Sequence, residues 1–181
     1  MATPTYSLSL DEFRGYAKEG NLIPLYREIL ADYETPVSAF AKIDHGPSAY
    51  LLESVQGGEK WARYSFLGSG SPILMVEDRG DLLIKKGKRT TRIPCKGAPL
   101  ERLREFMETY RPVTVPGLPR FVGGAVGYLG YDMVKTFEDL SFRRKDSLNL
   151  PEFAFLLTDT LLIFDNVAQK IKVVANAHVK S

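Results

Sequence analysis

The amino-acid sequence predicts an α+β fold, mainly antiparallel β-sheet with a few packed helices. Three observations carry that prediction. Helical apolar spacing occurs near the N-terminus, behind a capping pattern, and again over 99–110. From Ser48 onward the apolar period changes from 3.6 to 2, and turns rich in Gly, with Ser and Asp, interrupt it every few positions. Near the C-terminus, Phe153 to Phe164 and Lys170 to Val179 are two strand-like runs joined by Asp165-Asn166-Val167-Ala168-Gln169, which reads as a long hairpin.

The elements follow in order. Ser9-Leu10-Asp11-Glu12 has the Ser-x-x-Glu capping pattern, ahead of Phe13, Tyr16 and Ala17 on one helical face. Gly20-Asn21 stops that helix, since both residues tolerate positive φ. Leu22 to Ile29 is expected to be an irregular strand around Pro24. Thr35-Pro36 opens a short helix with Val37, Phe40 and Ala41 as its buried face. Ala49 to Val55, Arg63 to Gly68, Pro72 to Glu77, Leu82 to Lys86 and Arg89 to Ile93 then form an antiparallel meander. Pro99 to Tyr110 is a helix with Leu100, Leu103, Phe106, Met107 and Tyr110 on one stripe. After a proline-rich connector from Pro112 to Pro119, Phe121 to Tyr131 is a glycine-rich strand, and Asp132 is placed to cap a short helix over Met133 to Phe137. Residues 142–147 read as a solvated charged loop.

Composition narrows the function classes. The chain has 181 residues, a prior for one domain, and 24 basic against 22 acidic side chains leave a net charge of +2. No polybasic field exists to hold nucleic acid. Cys95 stands alone, so no internal disulfide forms, which fits a reducing, cytoplasmic compartment. The N-terminus has no apolar core of a signal peptide, and no apolar run is long enough to cross a bilayer. The strand-like run reaches Ala177 with four residues left, which reads as a cut in a longer chain.

Few residues invite catalysis. His45 lies in a turn and His178 near the terminus, and no G-x-S-x-G elbow is present for a Ser/His/Asp triad. The carboxylate pairs Glu77-Asp78 and Glu138-Asp139 read as solvated surface. Lys96 is placed to lower the pKa of Cys95, although a lone loop cysteine is usually inert. The glycines at 123, 124, 127 and 130 are interleaved with aromatics and lack a following Lys-Ser/Thr, so they favour close backbone approach over phosphate binding. The remaining feature is Leu51-Leu52-Glu53-Ser54 before Gly57-Gly58. There an acid and a hydroxyl at a strand end are suited to the ammonium of a small zwitterion, and a lysine or arginine a few residues on is suited to its carboxylate.

That stretch, with Arg63-Tyr64-Ser65-Phe66-Leu67-Gly68, resembles the N-terminal region of the anthranilate synthase component I family, whose chorismate-utilising relatives include aminodeoxychorismate synthase component I. The resemblance continues through Ile23-Pro24-Leu25-Tyr26-Arg27-Glu28, Thr35-Pro36-Val37-Ser38-Ala39-Phe40, Gly123-Gly124 to Asp132, Asp159 to Asp165, and Val173 to Asn176. It implies that residues 1–181 are an N-terminal regulatory and structural domain. The C-terminal domain, where chorismate and Mg²⁺ bind and which carries the catalytic groups, is absent. The fragment is then expected to be inactive alone and to hold no catalytic or metal residue.

The resemblance further implies that the parent lyase makes anthranilate and pyruvate from chorismate and ammonia. A glutamine amidotransferase subunit, component II, supplies that ammonia, and L-tryptophan is the feedback inhibitor. Ser54 would be the leading member of the tryptophan site, with Leu52 and Glu53 beside it and Lys60 or Arg63 as the basic contact. The N-terminal domain of aminodeoxychorismate synthase component I and a stand-alone amino-acid-binding module are the alternatives. No nucleic-acid or membrane partner is expected.

Overall fold

A computed structural model describes residues 6–53, 63–95, 98–140 and 148–179. Three α-helices, α1 (Leu10–Glu19), α2 (Pro36–Ile43) and α3 (Pro99–Glu108), accompany ten strands. The strands are β1 (Leu22–Leu30), β2 (Tyr50–Leu52), β3 (Tyr64–Gly68), β4 (Ile73–Asp78), β5 (Asp81–Lys86), β6 (Arg89–Ile93), β7 (Gly124–Leu129), β8 (Phe153–Thr158), β9 (Thr160–Asp165) and β10 (Lys170–His178). They form two five-stranded sheets, ordered β1-β10-β9-β3-β2 and β6-β5-β4-β8-β7. This is the predicted α+β class. The chain divides into two compact units, one of residues 1–71, 110–124 and 158–181 and the other of 72–109 and 125–157.

The first unit is built on the β9–β10 hairpin. β10 pairs antiparallel with β1 without interruption from Leu22 opposite His178 to Leu30 opposite Lys170. β1 is therefore a regular nine-residue strand, not an irregular one. Pro24 is tolerated because β1 is a sheet edge, where a missing N–H costs no ladder bond. One core cluster gathers Leu67, Phe164 and Ile171 with Ala31 and Ala39. Ala39, Phe40 and Ile43 of α2 face that cluster, while Val37 and Ala41 are exposed. The expected face of Val37, Phe40 and Ala41 thus gives way to Ala39, Phe40 and Ile43, since Ala39 and Ile43 stand one turn apart and pack with Phe40 on the cluster.

α1 begins at the predicted capping box, with Ser9 and Glu12 each accepting from the other's backbone N–H. Phe13, Tyr16 and Ala17 pack beside Ile23, Val113 and Val115. The helix ends for a different reason from the one the sequence gives. Gly20 has φ −152°, an extended conformation open to any residue. What excludes a side chain is space, since a Cβ there would sit 2.3 Å from the Arg111 carbonyl oxygen.

The second unit holds the β4-β5-β6 meander, with β8 and β7 added beside β4. Its buried residues include Met75, Leu82 and Phe153. The predicted meander is broken, since β2 and β3 lie in the other sheet. The predicted strand from Phe153 to Phe164 is also two strands, divided at Asp159, and only its second half joins β10. In β7, a Cβ on Gly127 would lie 1.9 Å from the Ala154 carbonyl oxygen, so close strand packing demands this glycine. Asp132 does not cap. It lies inside a 3₁₀ turn, Tyr131–Thr136, and pairs with Lys135 at 3.2 Å.

Two other expectations are corrected here. Glu77 is buried, not solvated, and accepts from the backbone N–H of Gly80 (2.6 Å) and of Glu152 (3.1 Å), while Asp78 pairs with Arg92. Cys95 is buried too, its Sγ accepting from the Leu82 N–H at 3.1 Å, and burial pushes its thiol pKa up instead of down. Lys96 and residues 142–147, read from the sequence as a charged loop, lie outside the described residues.

The two glycines of the first helix region give opposite expectations. Gly15 is exposed inside α1, with open space where its Cβ would stand, so Gly15→Ala raises stability by roughly 0.5–1 kcal/mol. Gly20→Ala meets backbone and lowers stability by about 1–3 kcal/mol. Urea denaturation of both variants checks the pair.

Candidate functional site

The candidate site lies at one end of the first sheet, where β2 finishes and β3 begins. β2 pairs antiparallel with β3, with Leu51 opposite Leu67 and Leu52 opposite Phe66. Directly opposed residues share a face. Leu51 accordingly packs into the cluster around Leu67, while Leu52, 46% exposed, sits on the Phe66 face. Glu53 follows immediately and is exposed. Leu52 ends β2 on the Phe66 face, and Glu53 is the next residue along that edge. Ser54 and Lys60 lie outside the described residues.

Arg63 stands one residue before β3, at the same end of the strand pair. Its Nε and Nη2 donate to both oxygens of Asp165, at 3.1 Å and 2.6 Å. Its carbonyl accepts from the Asn166 N–H at 2.8 Å, and its guanidinium lies 4.9 Å from the Tyr64 ring centroid. The side chain nevertheless stays 48% exposed. Asp165 is 5% exposed and also accepts from the N–H groups of Val167 (3.2 Å) and Ala168 (3.0 Å), which closes the β9–β10 turn. Burial acts to raise the Asp165 pKa, but the Arg63 and Ala168 hydrogen bonds outweigh it and hold the carboxyl below its ordinary value.

Beside these polar groups lies an aromatic surface that the sequence reading did not single out. Phe66 and Phe121 meet edge to face at 5.2 Å, and Tyr64 stands 6.2 Å from Phe66. All three are only half-buried, and they pack over Leu161, Ile163 and Val174. The signal available in the sequence was the period-2 placement of Tyr64 and Phe66 (i, i+2), which puts both rings on one face. Phe121 is remote in sequence and gave no such signal. The edge therefore offers an acid, a half-exposed cation and aromatic faces, a combination suited to a small aromatic zwitterion.

The other sequence candidates are dispersed. The His45 backbone N–H donates to Ser69 Oγ, and the His178 ring lies 5.1 Å from that of Tyr110. Among the described residues no group of three or more His, Cys, Asp and Glu is arranged to hold a metal ion. No described helix is long and apolar enough to cross a membrane.

Asp165→Asn keeps an acceptor for the turn and loses the charge that holds Arg63. The expected cost at pH 7 is about 1–3 kcal/mol. Because the folded-state pKa is lowered, this stabilisation is present above the ordinary carboxylate value and fades as pH falls through the folded value. The gap between wild type and variant therefore narrows below about pH 4, as urea titrations at pH 7 and pH 3 would measure.

Comparison with known proteins points in one direction. No family model matches the chain. It is 42% identical over 171 residues to anthranilate synthase component 1 of Acetivibrio thermocellus, an alignment covering 94% of this chain and 34% of that protein. To the Pseudomonas aeruginosa protein of the same name it is 42% identical over 174 residues, and to that of Synechocystis 38% over 185, with 35% of each relative covered. The crystal structure of anthranilate synthase component I from Streptococcus pneumoniae superimposes with a TM-score of 0.52 at 25% identity, over 83% of this chain and 31% of that one. The family resemblance read from the motifs is thereby borne out. This chain spans about a third of the length of the relatives it matches.

Proposed function

We propose that this chain is the N-terminal, regulatory and structural domain of component I of an anthranilate synthase, and that it carries part of an L-tryptophan feedback site. The observation that carries the assignment is 42% identity with anthranilate synthase component 1 over 94% of the chain. On this reading the whole protein is a cytoplasmic lyase that turns chorismate and glutamine-derived ammonia into anthranilate and pyruvate, the ammonia coming from a component II partner. Mg²⁺ and the reacting groups belong, on the same reading, to the rest of the polypeptide. The chain alone is inactive.

Support for the feedback site comes from the β2–β3 end. Glu53 is exposed where it would accept the ammonium of tryptophan, and Leu52 lies opposite Phe66, whose ring meets that of Phe121 in a surface suited to an indole. The carboxylate would take Lys60 or Arg63. Arg63 is already oriented by Asp165, so any contact it makes is pre-organised. An open edge surrounds a ligand on one side only, and the rest of the polypeptide supplies the other wall. Tryptophan bound across both would couple this edge to the chorismate site.

The test is made in the full-length polypeptide. Losing a hydrogen bond to a charged group costs about 1.5–3 kcal/mol, so Ser54→Ala raises the tryptophan concentration for half-inhibition by roughly tenfold to a hundredfold. Uninhibited turnover stays nearly intact. A variant as sensitive as wild type sinks the site assignment. Separately, an antibody raised to this chain detects a native polypeptide well above 20.3 kDa, and a band at that mass would remove the anthranilate synthase reading.

A further inference from the structure

We infer that β7, the outer strand of the second sheet, is a docking edge that pairs with an extended apolar segment from the remaining two thirds of the parent polypeptide. An unpaired sheet edge is a template for another strand, and proteins protect such edges with charge, proline, short length or a covering segment. Three of the four edges here are protected. β1 carries Pro24, Arg27 and Glu28, and Ser7 and residues 111–113 bond along it. β2 is three residues long. β6 reads Arg-Thr-Thr-Arg-Ile, with Arg89 and Arg92.

Among the described residues β7 has none of these devices. Its six residues, Gly124–Leu129, include no charge and no proline, and among the described residues no strand lies beyond it. Tyr128 and Leu129 are 43% and 50% exposed. The segments flanking the strand in the same unit add Phe137 and Leu150, at 69% and 62%. A bare edge with apolar surface in the same unit is an aggregation site unless something covers it.

The occupant follows from length. Since this chain spans 34–36% of its relatives, most of such a polypeptide lies outside it, tethered and therefore at high effective concentration. This step rests on the reading that the chain is part of an anthranilate synthase component. Pairing would give main-chain hydrogen bonds along β7, with alternate side chains of the incoming strand meeting Tyr128 and Leu129.

Hydrogen exchange on the 181-residue chain and on the full-length polypeptide tests the inference. Alternate amides within 125–129 exchange at least about tenfold more slowly in the full-length protein. Leu129→Lys leaves the melting temperature of the 181-residue chain within about 2 °C, yet abolishes the added protection in the full-length protein. Equal exchange in both proteins overturns the inference. So does protection in the short chain that grows with concentration alongside a dimeric mass, which would make a second copy the occupant. A native polypeptide of 20.3 kDa defeats the parent reading itself, whereas a long parent with an unprotected β7 defeats only the docking edge.

Discussion

The Asp165 carboxylate is the point on which the first sheet turns. It closes the β9–β10 hairpin through two backbone N–H groups and holds Arg63 at the entrance to β3. Asp165 lies opposite Tyr64 in the β3–β9 ladder, so this pair sets the register at the end of the sheet. A one-residue slip would move Tyr64 and Phe66 to the opposite face and bring Ser65 out of burial. From that register follow the aromatic surface and the placement of Leu52 opposite Phe66. With Arg63 half-exposed and Asp165 buried, the pair contributes more through geometry than through net energy, because water screens the arginine and desolvation of the carboxylate offsets much of the Coulombic gain.

Arg63 is anchored on one side and open on the other. Half of it is exposed while two of its nitrogens are committed to Asp165. A cation oriented in this way spends little rotamer entropy when an anion approaches, which a free lysine must do. Glu53 has the complementary property of lying just past a strand end, where its position is set by β2 but its carboxylate stays in water. Polar groups thus stand at the margin of a sheet with aromatic faces beside them, on a surface open to one side.

Much of the local structure was legible. The Ser9–Glu12 box, the Thr35-Pro36 start, the β4-β5-β6 meander and the α3 stripe depend on neighbours within a few residues, and all appear where the spacing put them. The candidate site was legible in part, since Leu52, Glu53 and Arg63 do come to one end of a strand pair. The tie from Arg63 to Asp165 was not, because 102 residues separate the partners and neither residue type announces the other. The buried role of Glu77 escaped for the same reason, as one of its two donors, the Glu152 N–H, arrives from 75 residues away.

By itself the sequence determined the α+β class, the order of the helices and strands and, through its motifs, the family it resembles. These rest on short-range periodicity and on which residues stand side by side. Only the tertiary structure decided which sheet each strand joins, that the run from Phe153 to Phe164 breaks at Asp159, and that Gly20 and Gly127 are required for space. Those outcomes depend on which distant backbone comes within a few ångströms. A linear pattern of apolar and polar residues holds no record of that distance.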